Sequence, residues 1–183
     1  ELYNDGTLEL ANTATWKVGV PNYTDGEQPW YEHMSNIRKV KINAGNFGLD
    51  KLGDYAFYGA TNLTELDFSE NTGAVTINQY ALGNCGFTTP TIENVYKVDT
   101  NAFNGSSMTE ITLGAEVLSY NVFAGCDSLT TVKFTNDTMT IDSNTFYGVR
   151  GLVTDIYVPW SEGTVHLAPW GATNATIHYN TTT

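Results

Sequence analysis

One short pattern recurs down this chain and limits its fold more than any other feature. A small or β-branched residue precedes an aromatic residue or Leu, with Gly just beyond. It appears as Ala56-Phe57-Tyr58-Gly59, Ala81-Leu82-Gly83, Ala102-Phe103-Asn104-Gly105, Val122-Phe123-Ala124-Gly125 and Thr145-Phe146-Tyr147-Gly148. The aromatic or Leu anchors are spaced by 25, 21, 20 and 23 residues. Five positions before each stands an aliphatic side chain: Leu52, Ile77, Val98, Leu118 and Ile141. A second pattern, apolar-x-x-apolar-x-apolar, fills the intervals at Ile37/Val40/Ile42, Leu63/Leu66/Phe68, Met108/Ile111/Leu113, Leu129/Val132/Phe134 and Val153/Ile156/Val158. Phe87/Pro90/Ile92 keeps the frame with Pro as a departure, which makes six rungs.

The last three positions of each triad alternate in, out and in, the period of a strand with one buried face. A unit of 20 to 26 residues holding one short strand, a second aliphatic and a compact turn cannot bury its apolar side alone. Neighbouring units must therefore stack and share a core. The expected fold is mainly β, a solenoid of about six rungs with a parallel sheet on one face. Composition agrees: only 15% of residues are charged, and Asn and Thr, 18 and 27 of 183, supply a quarter of the chain. Thr favours pleated strands and Asn favours turns, so a helical bundle is disfavoured.

The frame Leu63-x-x-Leu66-x-Phe68 followed by Ile77-x-x-x-Ala81-Leu82 resembles the BspA-like class of leucine-rich repeats, found in bacterial surface and secreted proteins and in some phage proteins. Leu52-Gly53-Asp54-Tyr55-Ala56-Phe57-Tyr58-Gly59 is similar to that family's repeat ending. Gly6-Thr7-Leu8, Pro21-Asn22-Tyr23 and Pro29-Trp30-Tyr31 resemble its lead-in. Ile156-Tyr157-Val158-Pro159-Trp160, Ala168-Pro169-Trp170-Gly171-Ala172 and Ile177-His178-Tyr179 resemble a terminal segment of phage-encoded members. The likeness covers nearly the whole chain. It implies a leucine-rich-repeat scaffold and a role in attachment and partner binding, without naming a ligand, because scaffold residues define the family.

All four Trp lie outside the repeats, Trp16 and Trp30 before and Trp160 and Trp170 after. Solenoid ends need covering, and large aromatics close an open core. The expected organisation is one continuous domain: an N-terminal cap over 1–36, repeats over 37–158 and a Trp-containing C-terminal cap over 159–183. Asp5-Gly6 and Asp25-Gly26 are turn signals around Leu8-Glu9-Leu10 and Trp16-Lys17-Val18-Gly19-Val20, which predicts an N-terminal hairpin. The chain begins at Glu1, as expected of a mature or excised piece of a longer protein or assembly.

A formal charge of −12 repels phosphate backbones and anionic lipid faces, so neither nucleic acid nor membrane insertion is expected. No stretch approaches the ~18 apolar residues of a membrane span. Cys85 and Cys126 stand three residues past their anchors, two rungs apart, roughly 10 Å at the ~4.8 Å strand spacing. That exceeds the ~7 Å reach of a disulfide, which predicts two free, buried thiols. His33, His166 and His178 show no metal-ligand spacing. Nucleophile-elbow, phosphate-loop and dinucleotide motifs are absent. Asp50 and Asp54 flank one turn as a solvated edge rather than a catalytic pair. No catalytic residue, metal site or cofactor is therefore expected, and the chain reads as a non-enzyme.

The outward positions of the sheet carry the functional expectation. They hold Lys39 and Lys41, Glu65 and Asp67, Thr89 and Thr91, Glu110 and Thr112, Thr131 and Lys133, and Asp155 and Tyr157. In an in-register parallel stack these form two ladders, with Lys39 opposite Glu65 and Lys41 opposite Asp67. The candidate binding residues are Lys41, Asp67, Thr91, Thr112, Lys133 and Tyr157. The expected function is recognition or adhesion: binding a host or cell-surface protein or glycan from a bacterial cell surface, a virion surface or the extracellular space, with a tail-associated phage protein as one context. A structural spacer is the alternative, and a polysaccharide-acting enzyme a remoter one.

Overall fold

The computed structural model describes residues 1–11, 19–43, 48–71, 73–164 and 168–181. Among these residues eleven short strands follow in order: β1 (Thr7–Ala11), β2 (Lys39–Asn43), β3 (Lys51–Leu52), β4 (Glu65–Asp67), β5 (Val75–Ile77), β6 (Thr91–Val98), β7 (Glu110–Leu118), β8 (Thr131–Phe134), β9 (Thr140–Ile141), β10 (Asp155–Tyr157) and β11 (Thr176–His178). Two 3-10 turns, Tyr31–Asn36 and Tyr147–Val149, are the helical elements among the described residues. Every pairing between named strands is parallel, as stacking of similar units requires.

Each coil has three sides. The triads form the first, running β1-β2-β4 in one sheet and then the N-terminal halves of β6 and β7 with β8, β10 and β11 in a second. The aliphatics five before each anchor form the next, a parallel ladder of β3, β5, the C-terminal halves of β6 and β7, and β9. The anchor turns form the third. Their backbones also bond from rung to rung: Phe57 N–H donates to the Ala81 carbonyl (2.8 Å), Leu82 to Ala102 (2.9 Å), Phe103 to Val122 (3.1 Å) and Phe146 to Trp170 (3.0 Å).

All five anchors and all five preceding aliphatics are buried, so both sequence frames point into one core. Phe103, Phe123 and Phe146 stack in a column with centroids 5.8 and 5.4 Å apart. At the N-terminal end Trp30 stacks on Phe57 at 5.2 Å, and its indole N–H donates to the Ala56 carbonyl at 2.8 Å. At the other end Trp160 and Trp170 are buried against Phe134 and each other. Trp16 lies outside the described residues.

The N-terminal hairpin takes a different form from the one expected. The Asp5-Gly6 turn folds residues 1–3 back on β1, through Gly6 N–H to the Tyr3 carbonyl (3.0 Å) and an antiparallel Leu2–Leu8 bridge. On its other edge β1 pairs parallel with β2, Leu8 beside Val40 and Leu10 beside Ile42. Alternating Leu8 and Leu10 therefore serve as one more rung of the stack. Of the expected second hairpin strand, Trp16, Lys17 and Val18 lie outside the described residues. Val20 donates to the Lys51 carbonyl (2.8 Å) and so lies alongside β3.

Cys85 and Cys126 are free and buried. Their thiols donate to rung carbonyls, Cys85 to Phe57 (3.4 Å) and Cys126 to Phe103 (3.1 Å). Burial raises both thiol pKa values, that of Cys126 to about 12. Such thiols are unreactive at neutral pH. Iodoacetamide is expected to label neither cysteine in the native protein and both after denaturation, with mass spectrometry as the readout; a native disulfide would contradict the register.

Candidate binding face

Why outward side chains reach solvent follows from the pleat. Val40, Ile111, Val132 and Ile156 are wholly buried, so the residues on either side of each must face out. On the first sheet the predicted register holds, with Lys39 opposite Glu65 and Lys41 opposite Asp67. The ion pairs follow that register only in part. Lys39 contacts Glu65 (2.5 Å) and also Asp67 (3.1 Å), while Lys41 pairs with Glu70 (2.9 Å). Direct cross-strand pairing explains Lys39 but not Lys41, whose long stem reaches past the strand end. The Ser69 hydroxyl and amide, and then Lys39, hold the Asp67 carboxyl down at about 2. The side chains are 22% to 58% exposed, and each pair is worth at most about 1 kcal/mol.

On the second sheet Thr91, Thr112, Lys133 and Tyr157 stand side by side in register, as expected. His178 extends the row, pairing with Tyr157. It was missed because its role is visible only once Ile177 is placed in a rung; the alternation Thr176-Ile177-His178 was the available signal. The Tyr157 and His178 rings stack at 4.3 Å, with Lys133 Nζ 6.0 Å from the Tyr157 centroid. Lys133 bonds Glu110 (2.7 Å), and His178 Nε2 lies 2.8 Å from Asp155 Oδ1. The His178 contact, followed by the Thr154 hydroxyl, lowers the Asp155 pKa. This end of the face is a row of half-exposed polar and aromatic groups held by its own hydrogen bonds. At the sheet corner Thr109, Thr130 and Thr154 hydroxyls donate to the carbonyls of Thr88, Thr109 and Thr130 (3.4, 3.2 and 3.3 Å), which gives part of the Thr content a structural purpose.

The expected ladder does not run unbroken. β4 and β6 are not hydrogen-bonded, so Lys41 and Asp67 stand on one sheet and Thr91, Thr112, Lys133 and Tyr157 on another. A cleft of about 550 Å³ separates them, lined by residues that include Glu65, Leu66, Asp67, Phe68, Thr91 and Glu93. Its origin is a change in coil size. From the last triad residue to the next aliphatic there are ten positions (Ile42 to Leu52) and nine (Phe68 to Ile77) in the first two rungs, but six (Ile92 to Val98) and five (Leu113 to Leu118) in the next two. The shorter arcs let β6 and β7 run straight round the corner as single strands, with a register shift in β6 between Ile92 and Val95. The wide coil and the narrow one stay hydrogen-bonded along the other two sides, through β5 and β6 and through Leu82 to Ala102, and the front strands part where the two sizes meet.

Among the described residues no cluster of three or more His, Cys, Asp or Glu is arranged to hold a metal ion. No helix among them is long and apolar enough to cross a membrane. Residues 27–153 match six copies of the BspA type leucine rich repeat region. The chain belongs to that family. A leucine-rich repeat protein from Eubacterium ventriosum, known from its crystal structure, shares the fold at a TM-score of 0.51 and 13% identity. The alignment covers 97% of this chain and 64% of that one, so the chain spans just under two thirds of the Eubacterium protein. No curated protein matches the chain. The six BspA-type copies agree with the six rungs counted from the triads.

Proposed function

We propose that this chain is a non-enzymatic recognition domain of the adhesion type, which binds a protein or a surface glycan through the outward side of its triad sheets. The observation that carries the reading is the in-register row Thr91, Thr112, Lys133, Tyr157 and His178, with a stacked aromatic pair at one end. Such a surface offers hydroxyls and a cation for hydrogen bonding and a ring face for apolar contact, which suits a carbohydrate or a polar protein surface. Lys41 and Asp67 belong to the same face across the cleft. Membership of the BspA-type repeats supports a binding or adhesion role, because solenoids of this kind present extended surfaces rather than enclosed sites. The acidic, uncharged-polar exterior is consistent with display on a bacterial cell or a virion, including a phage tail.

The test is a glycan and host-protein array probed with the isolated chain and with the Thr112→Glu/Tyr157→Glu double variant. Loss of every specific signal in the variant, with an unchanged urea midpoint, is the expected outcome. Retained binding would move the site to a loop or to one end of the stack.

A further inference from the structure

We propose that the cleft between β4 and β6 receives an extended segment of a partner protein, inserted as an added parallel strand that carries alternating aliphatic and basic side chains. The proposal narrows the recognition reading to one class of partner, and rests on it only in taking this face to be the binding side.

The first support is the direction of the backbone groups on the two lips. Glu65 N–H donates to the Arg38 carbonyl (3.3 Å), so Glu65 and Asp67 are the residues of β4 that bond to β2. Alternation then aims the N–H and C=O of Leu66 into the cleft. Across from it, Thr112 N–H donates to the Pro90 carbonyl (2.9 Å), so Pro90 and Ile92 bracket Thr112 and the N–H and C=O of Thr91 face β4. Each lip thus offers a donor and an acceptor with no ladder between them, which is the template that strand addition uses.

The second support is an apolar position left open. Leu66 occupies the frame position at which Val40, Ile111, Val132 and Ile156 are wholly buried, yet it is only partly buried. What is missing over Leu66 is the neighbouring rung, and an aliphatic side chain from an inserted strand would cover it. The third support is charge. Glu65 and Asp67 rim the cleft, and Lys39, which bonds both, offsets only part of their charge; the Glu93 carboxylate turns away to accept from the Thr135 hydroxyl (3.0 and 2.9 Å). Basic side chains at the outward positions of the inserted strand would complement that rim.

The probe is acetyl-Lys-Val-Lys-Val-Lys-Val-amide, titrated at low salt and followed by calorimetry and by hydrogen exchange of the Leu66 and Thr91 amides. Both amides are expected to exchange freely in the unbound protein and to gain protection as the peptide saturates with Kd below about 1 mM. N-methylation of the Val amides removes donors to one lip and is expected to weaken binding at least about tenfold. Replacing Lys by Glu in the peptide should abolish binding, and Glu65→Lys in the protein should weaken it about tenfold. Thr112→Ala/Tyr157→Ala, which adds no charge, should leave the peptide affinity within about twofold, because neither residue lines the cleft. Amides already protected in the free protein, equal binding of the N-methylated peptide, or no saturable binding would each overturn the strand-insertion proposal. The broader reading fails separately, on the array. Array ligands lost in the Thr112→Glu/Tyr157→Glu variant while the peptide does not bind would leave a recognition face without strand insertion.

Discussion

Phe123→Ala is expected to lower the unfolding free energy by about 3 to 5 kcal/mol. Phe123 is wholly buried between Phe103 and Phe146, with interplanar angles of 7° and 11°, so truncation removes the middle ring of a stack. The void cannot easily collapse. On either side the backbone is pinned from rung to rung, with Phe103 N–H on the Val122 carbonyl (3.1 Å) and Gly105 N–H on the Ala124 carbonyl (2.8 Å). A chain of this size loses roughly 2 to 4 °C of Tm per kcal/mol, so the midpoint should fall by about 10 °C. Three further variants separate a cavity from a general defect. Phe123→Leu should recover most of the loss, because Leu82 fills the same position one side chain smaller. Phe103→Ala combined with Phe123→Ala should cost less than the sum, because the two truncations open one shared cavity, whereas Phe57→Ala with Phe123→Ala should add. Urea unfolding measures all of these, and a near-neutral Phe123→Ala would remove the residue from the core.

The core was legible because burial repeats faithfully. Every anchor and every aliphatic before it must point inward wherever a rung is to be covered by the next, so a one-dimensional pattern was enough to find Phe57, Leu82, Phe103, Phe123 and Phe146. Turn chemistry was less legible. The residue two before the anchor adopts a left-handed conformation in four turns, at Tyr55, Tyr80, Asn101 and Asn121, with φ between 54° and 58°. Asn tolerates that region and Tyr does so at a cost. At Asn101 and Asn121 the side chains also link rungs: Asn121 Nδ2 donates to Asn101 Oδ1 (3.0 Å), and Asn101 Nδ2 to the Tyr80 hydroxyl (3.0 Å). Two residue types share one backbone state there, so no single-letter pattern marked it.

The site was legible only in part, for a different reason. Which residues face outward follows from alternation, and Thr91, Thr112, Lys133 and Tyr157 do stand in one row. Whether adjacent rungs lie flush depends on the arc lengths between frame positions. The sequence prints those lengths, but their effect appears only when the coils are closed in three dimensions. Lys41 and Asp67 were therefore placed on the correct side of the solenoid but across a gap from the others. His178 was hidden by the weakness of its rung, since Ile177 alone marks β11 and is itself only partly buried.

Gly86→Ala is expected to cost about 3 kcal/mol, as overpacking against an unyielding neighbour does. Gly86 lies outside both sequence frames, and its φ is not positive, so no turn geometry demands glycine there. What demands it is close approach. A Cβ at Gly86 would overlap the Thr61 carbonyl oxygen and lie 2.8 Å from its carbon, and both are backbone atoms of the preceding rung. Gly86 N–H donates to the Ala60 carbonyl (3.3 Å), which holds the two turns together at this corner. The corner leads directly into β4 on one rung and β6 on the next, the strands that part to form the cleft. The second and third rungs thus make a wedge, pinched at Gly86 and open at Leu66. Gly59→Ala is the comparison: its Cβ would meet nothing within 4 Å, but φ is +82°, so the expected cost is only the roughly 1 kcal/mol of backbone strain. Urea denaturation of the two variants should therefore rank Gly86→Ala well below Gly59→Ala in stability. The reverse order would mean that the pinch is not present in solution, and the wedge that opens the cleft would go with it.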